Sequence, residues 1–338
     1  MIDRPIIAIS TGDPSGIGPE ISIKALKHKE MYEICRPFLI GDRTVFSDMD
    51  GSALSINPVH HVEDMAFRFG TVDLLDLDLL ASRPPVGVVN EKSGDAAFQY
   101  VKEAIELAMS GQADATVTAP ISKEAINMAG HKFAGHTEIY AHYTNTKDYA
   151  MILAYGHFRV IHVSTHVSLR DACDLVKKDR VLKVIKIAEE ACRKLGIPNP
   201  RIAVAGLNPH AGENGMFGTE ETDEIIPAVQ EARKTGMRVD GPIPADTVFS
   251  RLNGKMYDIC VCMYHDQGHI PTKLLGFQWD GTKQKWSSVS GVNITMGLPI
   301  IRVSVDHGTA FDIAGKGIAS EESMVNAVSC AARLAKNQ

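Results

Sequence analysis

Three histidines each follow a short apolar run: Val163-Ser164-Thr165-His166, Gly206-Leu207-Asn208-Pro209-His210 and Met263-Tyr264-His265-Asp266. Side chains at the carboxyl ends of strands in an open α/β sheet face the crevice where ligands bind. Three neutral imidazoles that leave one position open would make a Lewis-acid site for Zn, Mn or Co. Asp266, next to His265, is placed to accept from an imidazole and fix its orientation. His162 and His269 lie close by in sequence, His162 within its strand rather than at its end.

Other segments suit anions. In Ser10-Thr11-Gly12-Asp13-Pro14-Ser15-Gly16-Ile17-Gly18-Pro19-Glu20 a strand enters a Gly-rich turn and a helix starts with proline in its first turn. Such a turn serves either close backbone approach to an anion or simply a tight strand-to-helix connection. It lacks the G-x-G-x-x-G dinucleotide fingerprint. Gly135-His136-Thr137-Glu138 opens a helix where an imidazolium, a hydroxyl and free N–H groups suit a phosphate, and where Thr137 would serve equally as an N-cap. Lys273, Asn293 and Arg302 add two cations and an amide, and Arg suits two-point capture of phosphate or carboxylate. Asp306–Ala319 is a long Gly-spaced loop directly after a strand, a length that usually signals function.

Elements that could position these groups alternate along the chain. Strands are expected at Ile6–Ser10, Phe38–Ile40, Ala115–Ala119, Ala150–Tyr155, Val160–Ser164, Ile202–Ala205, Asp258–Met263 and Ile300–Val305. Helices are expected near Pro19–His28, Asp95–Ser110, Asp179–Leu195, Glu220–Thr235 and Glu322–Ala335. The alternation predicts an α/β fold with a parallel or mixed sheet. At 338 residues the chain suggests two domains, and 44% hydrophobic with 22% charged residues excludes coiled-coil, collagen-like and disordered classes. The polar 278–291 stretch, with both tryptophans, reads as a surface loop or hairpin.

A net charge of −6 with scattered Lys and Arg argues against nucleic acid as a partner. No apolar run approaches the ~20 residues a membrane span needs, and no export signal is read at the N-terminus, so a soluble cytoplasmic protein is expected. The six cysteines fall mostly inside apolar patterns, and Cys260-Val261-Cys262 reads as core packing rather than a metal site.

Seven ordered motifs resemble the 4-hydroxythreonine-4-phosphate dehydrogenase (PdxA) family along nearly the whole chain. They are Gly12-Asp13-Pro14-x-Gly16-Ile17-Gly18-Pro19-Glu20, Gly135-His136-Thr137-Glu138, Ser164-Thr165-His166, Asn208-Pro209-His210-Ala211-Gly212-Glu213, Gly241-Pro242-x-Pro244-Ala245-Asp246-Thr247, Met263-Tyr264-His265-Asp266-Gln267-Gly268 and Val292-Asn293-Ile294-Thr295. His307–Gly317 is similar to the adenosine-binding loop of isopropylmalate and isocitrate dehydrogenases.

The resemblance implies an isocitrate/isopropylmalate dehydrogenase-like fold: two α/β domains with mixed sheets and a cleft between them, residues 1–132 plus 300–338 and residues 133–299. It implies NAD held through Gly308, Thr309, Asp312 and Gly315. One divalent metal (Zn, Mg, Mn or Co) would be held by His166, His210 and His265, one of them supplied across a homodimer interface. His136, Thr137, Lys273, Asn293 and Arg302 would meet the phosphate and neighbouring polar groups of the substrate. Asp246 would take a proton, with Lys273 as the second catalytic group. The implied reaction is oxidation and decarboxylation of a 4-phosphorylated 3-hydroxy acid.

Asp148–Met151, Glu213–Gly218 and Gly268–Pro271 resemble the catabolic branch, which turns D-threonate or D-erythronate 4-phosphate into dihydroxyacetone phosphate and CO2. The other branch oxidises 4-phosphohydroxy-L-threonine for pyridoxal phosphate synthesis. The Trp279–Gly291 loop is longer than the usual family connection. A three-histidine hydrolase and a non-catalytic phosphosugar-acid sensor are the remoter readings; the Gly-spaced loop argues against the first and the intact His166, His210, His265 and Asp246 set against the second.

Overall fold

The computed structural model describes residues 4–47, 54–282 and 285–338, with the backbone alone for residues 280 and 285–289. Lys283 and Gln284, within the expected 279–291 loop, lie outside the described residues. The chain forms two compact units: Met1–Asp148 with Leu298–Lys336 and Gln338, and Tyr149–Gly297 with Asn337. Among the described residues no helix is long and apolar enough to cross a membrane.

The first unit begins with β1 (Ile6–Ser10), α1 (Gly18–Ala25), α2 (Lys29–Ile34), β2 (Arg36–Gly41), β3 (Ser55–Val59) and β4 (Thr71–Asp76). It continues with α3 (Glu91–Met109), β5 (Ala115–Thr118), α4 (Lys123–Met128) and α5 (His136–Tyr143). The second unit holds β6 (Ala150–Tyr155), β7 (Phe158–His162), α6 (Leu169–Leu175), α7 (Lys178–Lys194), β8 (Arg201–Ala205), α8 (Ile226–Lys234), β9 (Arg238–Ile243), α9 (Ala245–Asn253) and β10 (Ile259–Cys262). It closes with α10 (His265–Gly276), β11 (Phe277–Asp280), β12 (Lys285–Val289) and β13 (Val292–Met296), and β14 (Arg302–Val305) and α11 (Glu322–Lys336) return to the first unit.

Strands of the first unit run β3-β4-β2-β1-β5-β14, every neighbouring pair parallel. Both faces of β1 and β5 are covered, which is why they read as continuous apolar runs rather than alternating ones. In the second unit the order is β13-β6-β7-β10-β8-β9, with β13–β6 and β6–β7 antiparallel and the rest parallel. The α/β architecture with parallel and antiparallel pairings is the one the sequence predicts.

Two differences from the sequence reading have physical causes. Residues 133–148, expected in the second domain, are in the first unit. Ile139 and Tyr140 of α5 are fully buried there with Phe98, Val101, Ile105 and Ile126. The strand expected at Val160–Ser164 is Phe158–His162, because β6 and β7 form a hairpin around Gly156, whose φ of +57° sets the turn after Tyr155. In keeping with the hairpin alternative for this stretch, β11 and β12 pair antiparallel with Trp279 opposite Trp286. Cys260 and Cys262 point into a core with Leu153, Phe158, Val248 and Leu252, in keeping with the packing role expected of them.

Candidate active site

Strands β7, β10 and β8 are immediate parallel neighbours, in that order. Their carboxyl ends therefore share one edge, and the segments leaving that edge carry His166, His265 and His210. Braces tie the three exits together. Val163 N–H donates to the Cys262 carbonyl at 2.8 Å, and Ser164 Oγ donates to the Met263 carbonyl at 2.9 Å. Gln267, 6% exposed, accepts from Met263 N–H at 2.7 Å and donates to the Gly206 carbonyl at 2.8 Å. Because both ends of one buried amide are used, the β10 and β8 exits cannot shift independently without leaving a buried polar group unpaired.

Helix α10 brings four imidazoles close. His265 and His269 are stacked, centroids 3.6 Å apart and 9° from coplanar, and His269 Nδ1 hydrogen-bonds the His265 carbonyl at 3.0 Å. His162 lies 4.8 Å from His269, and His166 lies 5.8 Å from His265. Gly268 permits this approach, since a Cβ there would sit 2.6 Å from His162 Nε2. Burial, reinforced by His162 and His265, pushes the His269 imidazole down to about 2. Burial also lowers His162 to about 4, opposed by its hydrogen bond to the Met151 carbonyl. Both rings are held neutral. His265 Nδ1 contacts Asp266 Oδ1 at 2.6 Å, which fixes the ring and leaves Nε2 available to a ligand. Thr165, His166, Val167, Tyr264, His265 and Asp266 line a cavity of about 290 Å³.

His210 sits apart from this cluster, against Phe217 at 6.1 Å. Among the described residues no group of three His, Cys, Asp or Glu side chains converges as a metal site within one chain. The donor chemistry of His166 and His265, with a carboxylate behind one of them, fits a divalent metal. His210 lies in an uncommon backbone: His210, Ala211, Gly212, Glu213 and Asn214 have φ of 53°, 52°, 82°, 40° and 55°. Each non-glycine residue in that region costs roughly 1–2 kcal/mol, so the turn is held in place by its surroundings. Asp246, in the first turn of α9, is exposed. Lys273 Nζ lies 5.2 Å from the Phe277 ring, and Asn293 is on β13.

In the first unit His136, Thr137 and Arg302 form the second group. His136 and Thr137 begin α5, and Arg302 begins β14. Arg302 is 3% exposed; its guanidinium donates to Thr118 Oγ1 at 3.1 Å and lies 5.6 Å from the Tyr140 ring. Burial lowers its pKa to about 10, with Tyr140 and Glu138 opposing. His136 is held well below its ordinary value, by burial first and by Arg302 second, and its Nε2 is buried with no hydrogen-bond partner among the described residues. A buried guanidinium beside an unpaired imidazole nitrogen is a costly arrangement that an anion would relieve.

The Gly-spaced loop is also in this unit. Ile17 N–H donates to the Thr309 carbonyl at 3.0 Å, and a Cβ on Gly16 would come within 3.0 Å of the Thr309 oxygen. A Cβ on Gly87 would meet the Phe311 carbonyl at 2.9 Å, and one on Gly315 would meet Val86 at 3.0 Å. Gly308 and Asp312 are exposed, so their edges stay available. Glu20 Oε1 accepts from Lys24 Nζ at 2.8 Å and from Ala319 N–H at 2.9 Å, while Lys24 also donates to the Gly317 and Ala319 carbonyls. A crevice of about 650 Å³ lined by Arg83, Pro85, Asn90 and Lys92 went unread in the sequence, where the Arg83-Pro84-Pro85 run was the available signal.

A family model described as pyridoxal phosphate biosynthetic protein PdxA matches residues 33–331. The chain belongs to the PdxA family. Among its PdxA-family relatives, the D-threonate 4-phosphate dehydrogenase of Cupriavidus necator is 46% identical over 335 residues, covering 98% of this chain and 97% of that one. A 4-hydroxythreonine-4-phosphate dehydrogenase structure from Klebsiella pneumoniae superposes with TM-score 0.85 at 43% identity, covering 98% and 100% of the two chains. Its counterpart from Burkholderia phymatum gives 0.83 at 44% identity, covering 98% of each. With dehydrogenases as its relatives, this PdxA-family chain is an oxidoreductase.

Proposed function

We propose that this chain oxidises and decarboxylates a 4-phosphorylated 3-hydroxy acid, D-threonate or D-erythronate 4-phosphate, to dihydroxyacetone phosphate and CO2. It would use NAD and one divalent metal, in the cytoplasm. The observation that carries the reading is the parallel β7-β10-β8 edge that delivers His166, His265 and His210, in a chain 46% identical to a D-threonate 4-phosphate dehydrogenase. The 43–44% identity to structures named 4-hydroxythreonine-4-phosphate dehydrogenases supports a second reading, the 4-phosphohydroxy-L-threonine substrate.

His136, Thr137 and Arg302 bind the phosphate, with Lys273 and Asn293 at neighbouring polar groups. Asp246 accepts the hydroxyl proton, and Lys273 returns a proton to the carbon that loses CO2. His166, His210 and His265 would hold the metal, whose role when bound is Lewis acidity toward the substrate oxygens. Gly308, Thr309, Asp312 and Gly315 would hold NAD, in keeping with the isocitrate dehydrogenase-like loop; NAD supplies the hydride acceptor. A homodimer would complete the ligand set. Val167, Leu169, Met216, Ile270 and Leu274, 47–79% exposed in the unit that carries the histidines, are apolar side chains that a second copy would cover. The test is stoichiometric. Protein supplied with Mn, NAD and D-threonate 4-phosphate should form NADH, CO2 and dihydroxyacetone phosphate one for one; NADH without CO2 would remove the decarboxylation.

A further inference from the structure

We infer that Glu221 is a positioning residue for His210, the clasp that fixes the left-handed turn on which that histidine is carried; the inference rests on His210 being a metal ligand, as proposed above. Glu221 is 1% exposed, in the π-helical turn Glu221–Ile225 that leads into α8. Its Oε1 accepts from Leu207 N–H and Asn208 N–H, both at 2.7 Å, and its Oε2 accepts from Asn208 Nδ2 at 2.9 Å. One carboxylate thus takes three donors from the two residues that lead into the turn. The same oxygen closes the turn from its other side: a Cβ on Gly212 would sit 2.8 Å from Oε2. Glu220 shares the Asn208 amide at 2.7 Å. Asn208 is held from two sides, and His210 follows two residues later in a backbone that L-residues rarely adopt.

An acceptor-only group is needed here. With glutamine at 221, the side-chain NH2 faces either the Leu207 and Asn208 N–H groups or the Asn208 amide, so a donor meets a donor in a buried place. The turn then loses the contacts that select its left-handed geometry, and His210 loses its fixed position while remaining chemically intact. Outer groups of this kind typically set metal affinity by roughly 10–100-fold.

The test is a double-mutant cycle read by Co(II) titration, following the visible absorption of the bound ion, with the full-length E221Q, H210A and E221Q/H210A proteins. E221Q should weaken Co(II) binding at least tenfold with the KM for NAD unchanged, and should add less than a further twofold in the H210A background. Wild-type Co(II) affinity in E221Q, with H210A weakened, overturns the positioning role alone. An equal loss in both backgrounds assigns Glu221 to general folding and also overturns it. Unchanged Co(II) binding in H210A removes His210 from the ligand set and this inference with it. Should E221Q fail to fold, Asn208→Ser, which removes only the amide held between Glu220 and Glu221, is read through the same cycle with the same criteria.

Discussion

Replacing Arg302 with methionine should make the free protein more stable and the enzyme worse. Arg302 is buried at the start of β14, with Thr118 Oγ1 and the Tyr140 ring as neighbours. Burial lowers its pKa from 12.5 to about 10. A tenfold loss of proton affinity corresponds to about 1.4 kcal/mol, so holding the charge costs the folded protein roughly 3 kcal/mol at neutral pH. Methionine fills similar volume without a charge, and replacements of this kind are often stabilising by about 1–4 kcal/mol. On the proposed assignment the substrate phosphate then loses its buried guanidinium, at a cost of about 2–5 kcal/mol, or roughly 30-fold or more in KM. Urea unfolding of the free proteins and steady-state kinetics read the two effects separately. A destabilised Arg302→Met with unchanged KM would refute the assignment, because the charge would then serve the fold.

Three further outcomes follow from the same geometry. His136 has a folded pKa well below the unfolded value, so it binds fewer protons folded than unfolded, and stability falls as pH drops below about 6.5. His136→Asn should flatten that limb of the pH–stability curve, and an unchanged limb would show that His136 titrates normally. Asp13 has the opposite sign: burial raises its carboxyl to about 6 against hydrogen bonds from the Ser15 and Ser122 backbones, so its contribution is lost as pH rises from about 4 through 6. Asp13→Asn should gain stability relative to the parent above pH 6, as denaturant midpoints at pH 5 and 7.5 would show. Lys24→Met removes the donor shared by Glu20, Gly317 and Ala319 and should raise the KM for NAD several-fold with little change in the KM for the phosphorylated substrate; equal changes in both would detach loop 306–319 from the cofactor.

The strands that carry the histidines are legible because they are short, apolar and followed by turn residues, and β8 and β10 lie within a residue of their expected limits. The His162, His265 and His269 stack is not, since it depends on α10 packing against β7 through Gly268, a contact between segments a hundred residues apart. Glu221 is hidden for another reason. Glu220–Thr235 reads as an amphipathic helix with a charged first turn, and only the π-helical turn points one of those charges inward. Sheet-edge strands such as β3 and β9 escape notice because Pro58, Gly241 and Pro242 interrupt the apolar pattern. The expected boundary at residue 133 comes from the family resemblance, whereas burial of Ile139 and Tyr140 decides where α5 belongs.

The measurement that bears most directly on the central claim is kcat/KM for NADH formation with D-threonate 4-phosphate, D-erythronate 4-phosphate and 4-phosphohydroxy-L-threonine, side by side in the presence of Mn. A clear preference for the two hydroxy acids is the expected result; preference for the amino acid, or no NADH from any of the three, would contradict it.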